Sequence, residues 1–349
     1  RSGATVSEDN KAQKQRSLCK PCVPLLTEGR KKTKSERMRN MGNIKNVLVM
    51  GGGLMGKNIA FVVSSVKDYE ITIYDINDVD VPAGIRQSTK QLVEKGIVSE
   101  AELAERLARI HFTRDLDSAG VKNADLVIEA VFEDMNLKRE TFAKLEERCR
   151  PDCIFCTNTS VMSPTEISRD LKHRERFCGT HFWNPGHLIP LVEVVKTDAT
   201  TDETAQTVMD FMTGIGKKPC LCNKDVPGFI ANRLQHALWR EAISIVEHGI
   251  ADAATVDTAI KNSFGLRLPQ LSAMENADMV GLDLTYNIHE YVLPYIEDSH
   301  EPSPLLVKLK EEGKLGFKTG EGFQKWSNEE MDQVRDDLNT YLVRMLYGK

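Results

Sequence analysis

The sequence predicts an α/β protein in which a doubly wound, mostly parallel sheet precedes an all-helical C-terminal domain. Short apolar runs alternate with helical segments between residues 44 and 225. The first apolar run breaks into three consecutive glycines, as a buried strand does before a tight turn. Beyond residue 226 the apolar residues recur only at helical spacing. Because 349 residues suffice for two domains, we place them at 44–225 and 226–349.

The glycine turn is the most informative motif of the chain. The stretch VLVMGGGLMG predicts a buried strand over residues 45–50 and a tight turn that begins at Gly51. Gly53 allows close approach of the backbone to a pyrophosphate, and Gly56 lets the following helix pack against the strand. These features together predict a Rossmann-type dinucleotide site.

The start of that helix and the end of the next strand refine the prediction of the ligand. The amide groups of Leu54 and Met55 are unpaired at the helix start, where the helix dipole favours an anion. The second strand, EITIYD, ends at Asp75, whose carboxylate accepts hydrogen bonds from ribose hydroxyls and repels a 2′-phosphate. We therefore expect NAD rather than NADP as the cofactor.

Charge and composition narrow the class of protein. The net charge of −5 and the pI near 6.0 argue against nucleic acid as a partner. The chain contains no apolar run near the roughly 18 residues that cross a membrane, so no membrane partner is expected. Eight cysteines without a signal segment indicate free thiols in a reducing compartment, which we take to be the cytoplasm.

Residues 1–43 differ from the rest of the chain. They are rich in Lys, Arg, Ser and Thr, with a basic run over residues 30–34, and we expect a disordered tail or an expression remnant. A transit peptide and a partner-binding arm are the alternatives, although the acidic residues of the segment weigh against the first. Cys19 and Cys22 form a CxxC without a second ligand pair, which indicates no metal site.

The central segment supplies further strands and a helical insertion. Residues 79–109 predict a helical hairpin around a glycine turn, with Ser99 and Glu102 as a capping box. Strands are predicted in IHFTRDL, ADLVIEAV and CIFCTNTS, with a helix from about Asn136 between the last two. In the third strand, Cys153 and Cys156 are expected to pack in the core rather than bind a metal.

Candidate catalytic residues follow the last of these strands. Asn158 and Ser160 lie where a strand gives way to a loop, although turn capping alone also explains such residues. Two extended runs then flank an Asn-Pro-Gly turn, with His181 before it and Glu193 after it. If the runs pair, the carboxylate reaches the imidazole and raises its proton affinity, as a general base requires. A structural histidine is the alternative, and neither role needs a metal.

The C-terminal part predicts helices and a subunit contact. GFIANRLQHALWREAISIVEHGIA places apolar residues on one helical face and ends at Gly249. A last helix over residues 329–346 repeats an apolar stripe of Met331, Val334, Leu338, Tyr341 and Met345. Such a stripe is typical of a core or of a subunit interface, and we expect a homodimer formed through these helices.

In its motifs the chain resembles the L-3-hydroxyacyl-CoA dehydrogenases, and the 3-hydroxybutyryl-CoA dehydrogenases in particular. The resemblance extends over residues 44–326. The motifs that carry it, in order, are GGGLMG, Asp75, VIEAVFEDMNLK, TNTS, HFWNP, LVEVVKT, KDVPGFIANRL and GFKTGEGF.

The resemblance implies an NAD-dependent oxidation of a 3-hydroxyacyl-CoA by hydride transfer. It implies that His181 is the catalytic base and that Glu193 orients it. Matched motifs imply further roles near the substrate oxygen for Ser160, Asn232 and, as a supporting residue, Asn184. They also imply cofactor contacts for Glu133, Lys138 and Asn158.

Departures from the family pattern leave the substrate open. Trp183 and His187 stand in the HFWNPGHLIP turn, where acyl-CoA enzymes more often carry Phe-Asn-Pro followed by Pro. After FGLRL the usual Gly-Pro is replaced by Pro-Gln-Leu-Ser. These changes favour the alternative of a non-CoA hydroxy acid or aromatic alcohol, of the carnitine, gulonate or hydroxypyridine carboxylate type. A non-catalytic, crystallin-like NAD-binding protein is the second alternative, although the intact candidate catalytic residues argue against it.

The helical hairpin favours the acyl-CoA substrate instead. It resembles the segment that covers CoA in hydroxybutyryl-CoA enzymes, and Lys90 and Lys95 recur on it in a helical pattern. Cationic side chains suit the phosphates of CoA, so we interpret both as substrate contacts. A solvated helix face is the other reading of the same lysines.

Overall fold

The computed structural model describes residues 44–348, so the predicted tail, with Cys19 and Cys22, lies outside the described residues. The strands are β1 Asn46–Met50, β2 Glu70–Tyr74, β3 Ile110–Thr113, β4 Leu126–Glu129, β5 Ile154–Thr157, β6 Phe177–Phe182, β7 Leu191–Lys196 and β8 Lys218–Cys222. The helices of the sheet region are α1 Leu54–Val63, α2 Val81–Glu94, α3 Glu100–Ala108, α4 Ala119–Lys122, α5 Met135–Glu146, α6 Pro164–Ile167 and α7 Asp202–Gly214.

The remaining helices follow the sheet. They are α8 Ala231–Glu247, α9 Ala253–Lys261, α10 Phe264–Arg267, α11 Ala273–Val280, α12 Leu282–Val292, α13 Pro304–Glu311 and α14 Asn328–Tyr347. Short 3-10 turns occupy Arg174–Arg176 and Leu293–Tyr295. The change from mixed to helical structure falls between β8 and α8.

The eight strands form one sheet in the order β3-β2-β1-β4-β5-β6-β7-β8. All neighbouring pairs are parallel except β6 and β7, which are antiparallel. The strand order reverses between β1 and β4, so the carboxyl ends of these strands open a crevice there. This confirms the predicted doubly wound sheet with a helical C-terminal domain.

Apolar side chains from both faces of the sheet form the core. Val47, Ile128 and Cys156 belong to one buried cluster, and Leu48 and Cys153 belong to the other. All four residues of β4 are buried, as expected of a strand covered on both faces. Cys153 and Cys156 therefore pack in the core, as the sequence predicts.

The inserted hairpin of α2 and α3 is present, with one correction to its cap. The Ser99 side chain accepts a hydrogen bond from the Glu102 N–H, but the reciprocal half of the predicted capping box does not form in the described structure. The Glu102 carboxylate instead pairs with Arg106 one turn further along the helix. The ion pair competes with the cap for the same carboxylate.

The last helix is present, but its predicted apolar stripe is mostly exposed. Met331 is buried, whereas Leu338 is 50% exposed and Met345 is 54% exposed. Val343, off the predicted stripe, is 1% exposed and belongs to the core of the sheet region. The face that packs is set by contact of α14 with α2, which the helical period alone does not reveal.

Helices α11 and α12 present a broad apolar surface. Met279, Tyr286, Ile288 and Tyr291 are all exposed, the last by 74%. Among residues 44–348 no helix is both long and apolar enough to span a membrane. Single exposed apolar side chains are ordinary, but several large ones on two neighbouring helices are typical of an interface.

We expect Gly56→Ala to destabilise the sheet region strongly. A Cβ at Gly56 would lie 1.8 Å from the carbonyl oxygen of Gly51, so the backbone must move. We expect a loss of about 2 kcal/mol or more in the free energy of unfolding, measured by urea denaturation. Gly53→Ala is the matched control, because a Cβ at Gly53 meets no atom within 4 Å. Equal stability of the two variants would contradict this packing argument.

Candidate active site

The glycine turn forms a cradle at the start of α1. Gly51 has a φ of +107°, which favours glycine, and a Cβ there would lie 2.6 Å from the Ala130 carbonyl oxygen. Gly53 is the N-cap of α1, and no side chain caps this helix start. Because a Cβ at Gly53 would enter open space, the free amide groups of Leu54 and Met55 can approach a phosphate. The cradle therefore fits a dinucleotide.

Asp75 lies directly after β2, beside this turn. Its Oδ2 accepts a hydrogen bond of 2.7 Å from the Gly52 N–H, and its Oδ1 accepts one of 2.8 Å from the Asn77 N–H. These bonds fix the carboxylate at the crevice edge, where it can also accept hydrogen bonds from ribose hydroxyls. The arrangement suits NAD, because the Asp75 carboxylate would repel a 2′-phosphate.

A cavity of about 330 Å³ lies beside the cradle. It brings together six of the residues that the sequence singles out: Met55, Asn158, Ser160, His181, Asn184 and Asn232. Phe182 and Trp183 complete its lining. Residues from α1, from the end of β5, from the turn after β6 and from α8 thus meet at one site.

His181 and Glu193 form a buried pair behind this cavity. The antiparallel register of β6 and β7 places the two residues opposite each other, and His181 Nδ1 lies 2.8 Å from Glu193 Oε2. His181 is 5% exposed and Glu193 is fully buried. Since Glu193 occupies Nδ1, Nε2 is the ring nitrogen that remains for a ligand in the cavity.

Glu193 is held by three further hydrogen bonds. The Trp183 indole donates to Oε2 at 3.1 Å, and the N–H groups of Ile230 and Ala231 donate to Oε1 at 2.9 Å each. Burial raises the pKa of this carboxyl group, but the bonds from His181, the two backbone amides and Trp183 outweigh burial and lower the pKa to about 2. The group is therefore an anion at neutral pH.

The polar groups around the cavity are cross-linked. Asn232 Nδ2 donates to the Ser160 carbonyl oxygen at 3.0 Å, which joins α8 to the loop after β5. Asn158 Oδ1 accepts from the Phe182 N–H at 2.8 Å, next to His181. These bonds hold the amides of Asn158 and Asn232 at the cavity wall.

Glu133 and Lys138 lie outside the cavity lining. Glu133 Oε1 accepts from the Ser160 N–H at 2.9 Å, so it supports the loop that carries Ser160. Lys138 is 1% exposed, with its Nζ 2.7 Å from Glu129 Oε1 and 3.2 Å from Glu133 Oε2. Glu129 was missed in the sequence, although an acidic residue that ends a fully apolar strand is a signal for such a buried pair.

Lys217 is a second residue that the sequence analysis missed. Its Nζ donates to the carbonyl oxygens of Gly186 and Ile189, at 2.6 and 2.7 Å, and so ties down the turn after His181. Burial lowers the pKa of Lys217 to about 8. Burial also lowers the pKa of the neighbouring His187 to about 4, and the charge of Lys217 acts in the same direction. A lysine before a short strand gives no sequence signal for this role.

The predicted substrate lysines are not part of the cavity. Lys90 is 72% exposed and lies 3.6 Å from Glu94, and Lys95 is exposed at the end of α2. Both stand on the exposed surface of the hairpin, and neither lines the cavity.

Two family models match the chain. The model described as 3-hydroxyacyl-CoA dehydrogenase, NAD binding domain, matches residues 46–226, and the model of the C-terminal domain of the same family matches residues 228–326. Together they extend over the sheet and most of the helical region.

Individual relatives agree with the family models. The human mitochondrial hydroxyacyl-coenzyme A dehydrogenase is 36% identical over 81% of this chain and 91% of its own length. The solved structure of (S)-3-hydroxybutyryl-CoA dehydrogenase from Ralstonia eutropha is 30% identical, with a TM-score of 0.68, and covers 82% of this chain and 100% of that one.

A third relative carries a different activity in its name. The 5-formyl-3-hydroxy-2-methylpyridine 4-carboxylate 5-dehydrogenase of Mesorhizobium japonicum is 29% identical over 88% of this chain and 99% of its own length. A solved structure of an enzyme of this activity is 28% identical, with a TM-score of 0.79 and the same coverage. The protein is thus an NAD-dependent dehydrogenase that acts on a hydroxyl group, and the chain belongs to the 3-hydroxyacyl-CoA dehydrogenase family.

Proposed function

We propose that the protein oxidises an L-3-hydroxyacyl-CoA, such as 3-hydroxybutyryl-CoA, to the 3-oxoacyl-CoA, with His181 as base and Glu193 as its partner. The observation that carries the proposal is the buried His181–Glu193 pair, of which His181 lines the cavity beside the glycine cradle. A base at the site of hydride transfer is what oxidation of an alcohol requires.

The chemistry follows from the placement of the side chains. When bound, NAD accepts the hydride that leaves the carbinol carbon. His181 Nε2 takes the hydroxyl proton, and the anionic Glu193 stabilises the imidazolium that forms. Ser160 and Asn232 hold the reacting oxygen near Nε2, which orients the substrate and stabilises developing charge. Glu129, Lys138 and Glu133 support the loop that carries Ser160.

A compact, non-CoA hydroxy acid or aromatic alcohol is the second candidate substrate. The structure of the pyridine carboxylate dehydrogenase aligns with a higher TM-score than that of the hydroxybutyryl-CoA enzyme, 0.79 against 0.68. Trp183 also lines the cavity, where it takes up space beside His181. Both observations favour a small substrate, whereas the family models and the human relative favour the thioester.

We also propose a homodimer through the helical domain. Large apolar side chains of α11 and α12 are exposed, and a groove of about 1420 Å³ beside α8 and α13, which shares Asn232 with the cavity beside the cradle, is lined in part by Trp239, Ile243, Leu306 and Phe323. A second copy of the chain supplies an apolar surface and a groove in equal number, as a twofold dimer requires.

Localisation in the cytoplasm stays a prediction, and cell fractionation tests it against the mitochondrion.

The cofactor proposal predicts selectivity for NAD over NADP. The fixed Asp75 carboxylate repels a 2′-phosphate, so we expect catalytic efficiency with NAD to exceed that with NADP by about a hundredfold. Asp75→Ala should reduce this ratio to about tenfold or less, measured by NADH and NADPH absorbance. Gly53→Ala, which fills the cradle without altering the fold, should weaken binding of both cofactors equally. Comparable turnover of NAD and NADP by the unmutated protein would contradict the role of Asp75.

The catalytic proposal predicts a large effect at His181. His181→Gln should lower kcat by about a hundredfold or more, because the base is lost, while NADH affinity measured by fluorescence stays near that of the parent. Glu193→Gln should lower kcat less, because the base remains but its imidazolium loses its anion. A His181→Gln variant that retains full turnover would remove this residue from the chemistry.

The substrate proposal predicts a KM effect at the hairpin. If 3-hydroxybutyryl-CoA is oxidised, Lys95→Ala should raise its KM about threefold to tenfold with kcat unchanged, since the contact binds ground and transition states alike. Lys144→Ala, an exposed lysine on α5, is the control. If 3-hydroxybutyryl-CoA is not oxidised while a compact hydroxy acid yields NADH, the second candidate substrate is favoured.

The dimer proposal predicts that one charged side chain introduced into the apolar surface of α12 dissociates the dimer. Ile288→Asp places a carboxylate in the apolar surface of α12 and should yield a monomer at micromolar concentration in sedimentation velocity. Glu290→Gln on the same helix is the control and should leave the oligomeric state of the parent protein unchanged. A parent protein that sediments as a monomer would overturn the proposal.

A further inference from the structure

The carboxylate that holds His181 has a second side-chain donor. Trp183 follows β6 directly and stands two residues after His181, so both side chains lie on one side of the extended backbone. The Trp183 Nε1–H and His181 Nδ1 contact the same atom, Glu193 Oε2, at 3.1 and 2.8 Å. Their ring centroids are 5.4 Å apart.

The two donors share one anionic oxygen. A hydrogen bond from a neutral donor stabilises the negative charge of the carboxylate. The carboxylate then attracts an imidazolium less strongly. A phenylalanine at this position fills much of the same space but has no N–H to donate. The indole nitrogen, rather than the bulk of the ring, is therefore the chemical feature that acts on the pair.

We propose that Trp183 is a positioning residue that fixes Glu193 Oε2 against His181 and lowers the proton affinity of the His181–Glu193 pair. The inference rests on the proposed role of His181 as base. With the indole in place, His181 loses its proton at a lower pH and is ready to accept the substrate proton over a wider range. The protonated form of His181 is correspondingly less stable. Reduction of the ketone, which needs that proton, is therefore disfavoured at alkaline pH.

Other titratable groups near Glu193 do not account for such an effect. Cys220 lies opposite Glu193 on β8, and burial first and the charge of Glu193 second raise the pKa of its thiol to about 11. Burial also raises the pKa of Cys222 on the same strand. From α8 only backbone amides reach the carboxylate. Lys217 and His187 belong to the turn, where Lys217 bonds carbonyl oxygens rather than Glu193.

The test compares Trp183→Phe with Trp326→Phe, which makes the same change at a tryptophan that packs against Phe317 and lines the large groove rather than the cavity beside the cradle. The readout is the pH profile of kcat/KM for oxidation of 3-hydroxybutyryl-CoA by NAD. Trp183→Phe should move the midpoint of the acidic limb up by about 0.5 to 1 pH unit, and Trp326→Phe should not move it. Trp183→Leu removes the same N–H with a different shape and should shift the limb in the same direction.

A second readout needs no substrate. Histidine labelled with ¹³C at Cε1 is titrated by NMR in the full-length protein, and the His181 signal is assigned by its loss in His181→Gln. Its titration midpoint should rise in Trp183→Phe and fall in Glu193→Gln. A midpoint unchanged in Trp183→Phe would overturn this inference alone. Full activity of His181→Gln would instead overturn the proposed function.

Discussion

The site depends on one buried anion, the carboxylate of Glu193. A fully buried carboxylate is unfavourable unless several donors satisfy it, and here four donors do so from β6, the turn that follows it and the start of α8. The two backbone donors, Ile230 and Ala231, lie at the start of α8. The same anion that orients His181 therefore also bonds the first backbone amides of this helix.

The rest of the site is arranged around the crevice where the sheet reverses its order. The glycine cradle follows β1, Asp75 follows β2 and Asn158 follows β5. Glu129, which pairs with Lys138, is the last residue of β4. Parallel strands bring these carboxyl ends to one edge. The single antiparallel pair, β6 and β7, then supplies the histidine and the carboxylate in register. The cradle and the His181–Glu193 pair therefore lie on strands or directly at strand ends.

Local sequence signals sufficed for strands β1 to β7, the cradle and the His181–Glu193 pair, because each depends on short-range patterns, whereas β8 was not predicted. Glycines mark the turn, an apolar run marks β4, and two extended segments around a short turn place His181 opposite Glu193. The role of Lys217 and the packing face of α14 depend on contacts between segments far apart in the chain. Val343 is buried because α14 happens to meet α2, and no periodicity in its own sequence encodes that contact. The half-formed cap at Ser99 has a local cause instead, because Arg106, one turn further along the same helix, competes for the Glu102 carboxylate.

The most direct test of the central claim is a crystal structure of the protein with NAD and acetoacetyl-CoA, the ketone product of 3-hydroxybutyryl-CoA oxidation. The account predicts the 3-oxo oxygen within about 2.6–3.2 Å of His181 Nε2, with Nδ1 still bonded to Glu193. It also predicts the amides of Asn232 or the hydroxyl of Ser160 at the same oxygen. A ligand that binds with its ketone away from Nε2, or a His181 side chain released from Glu193, would contradict the account.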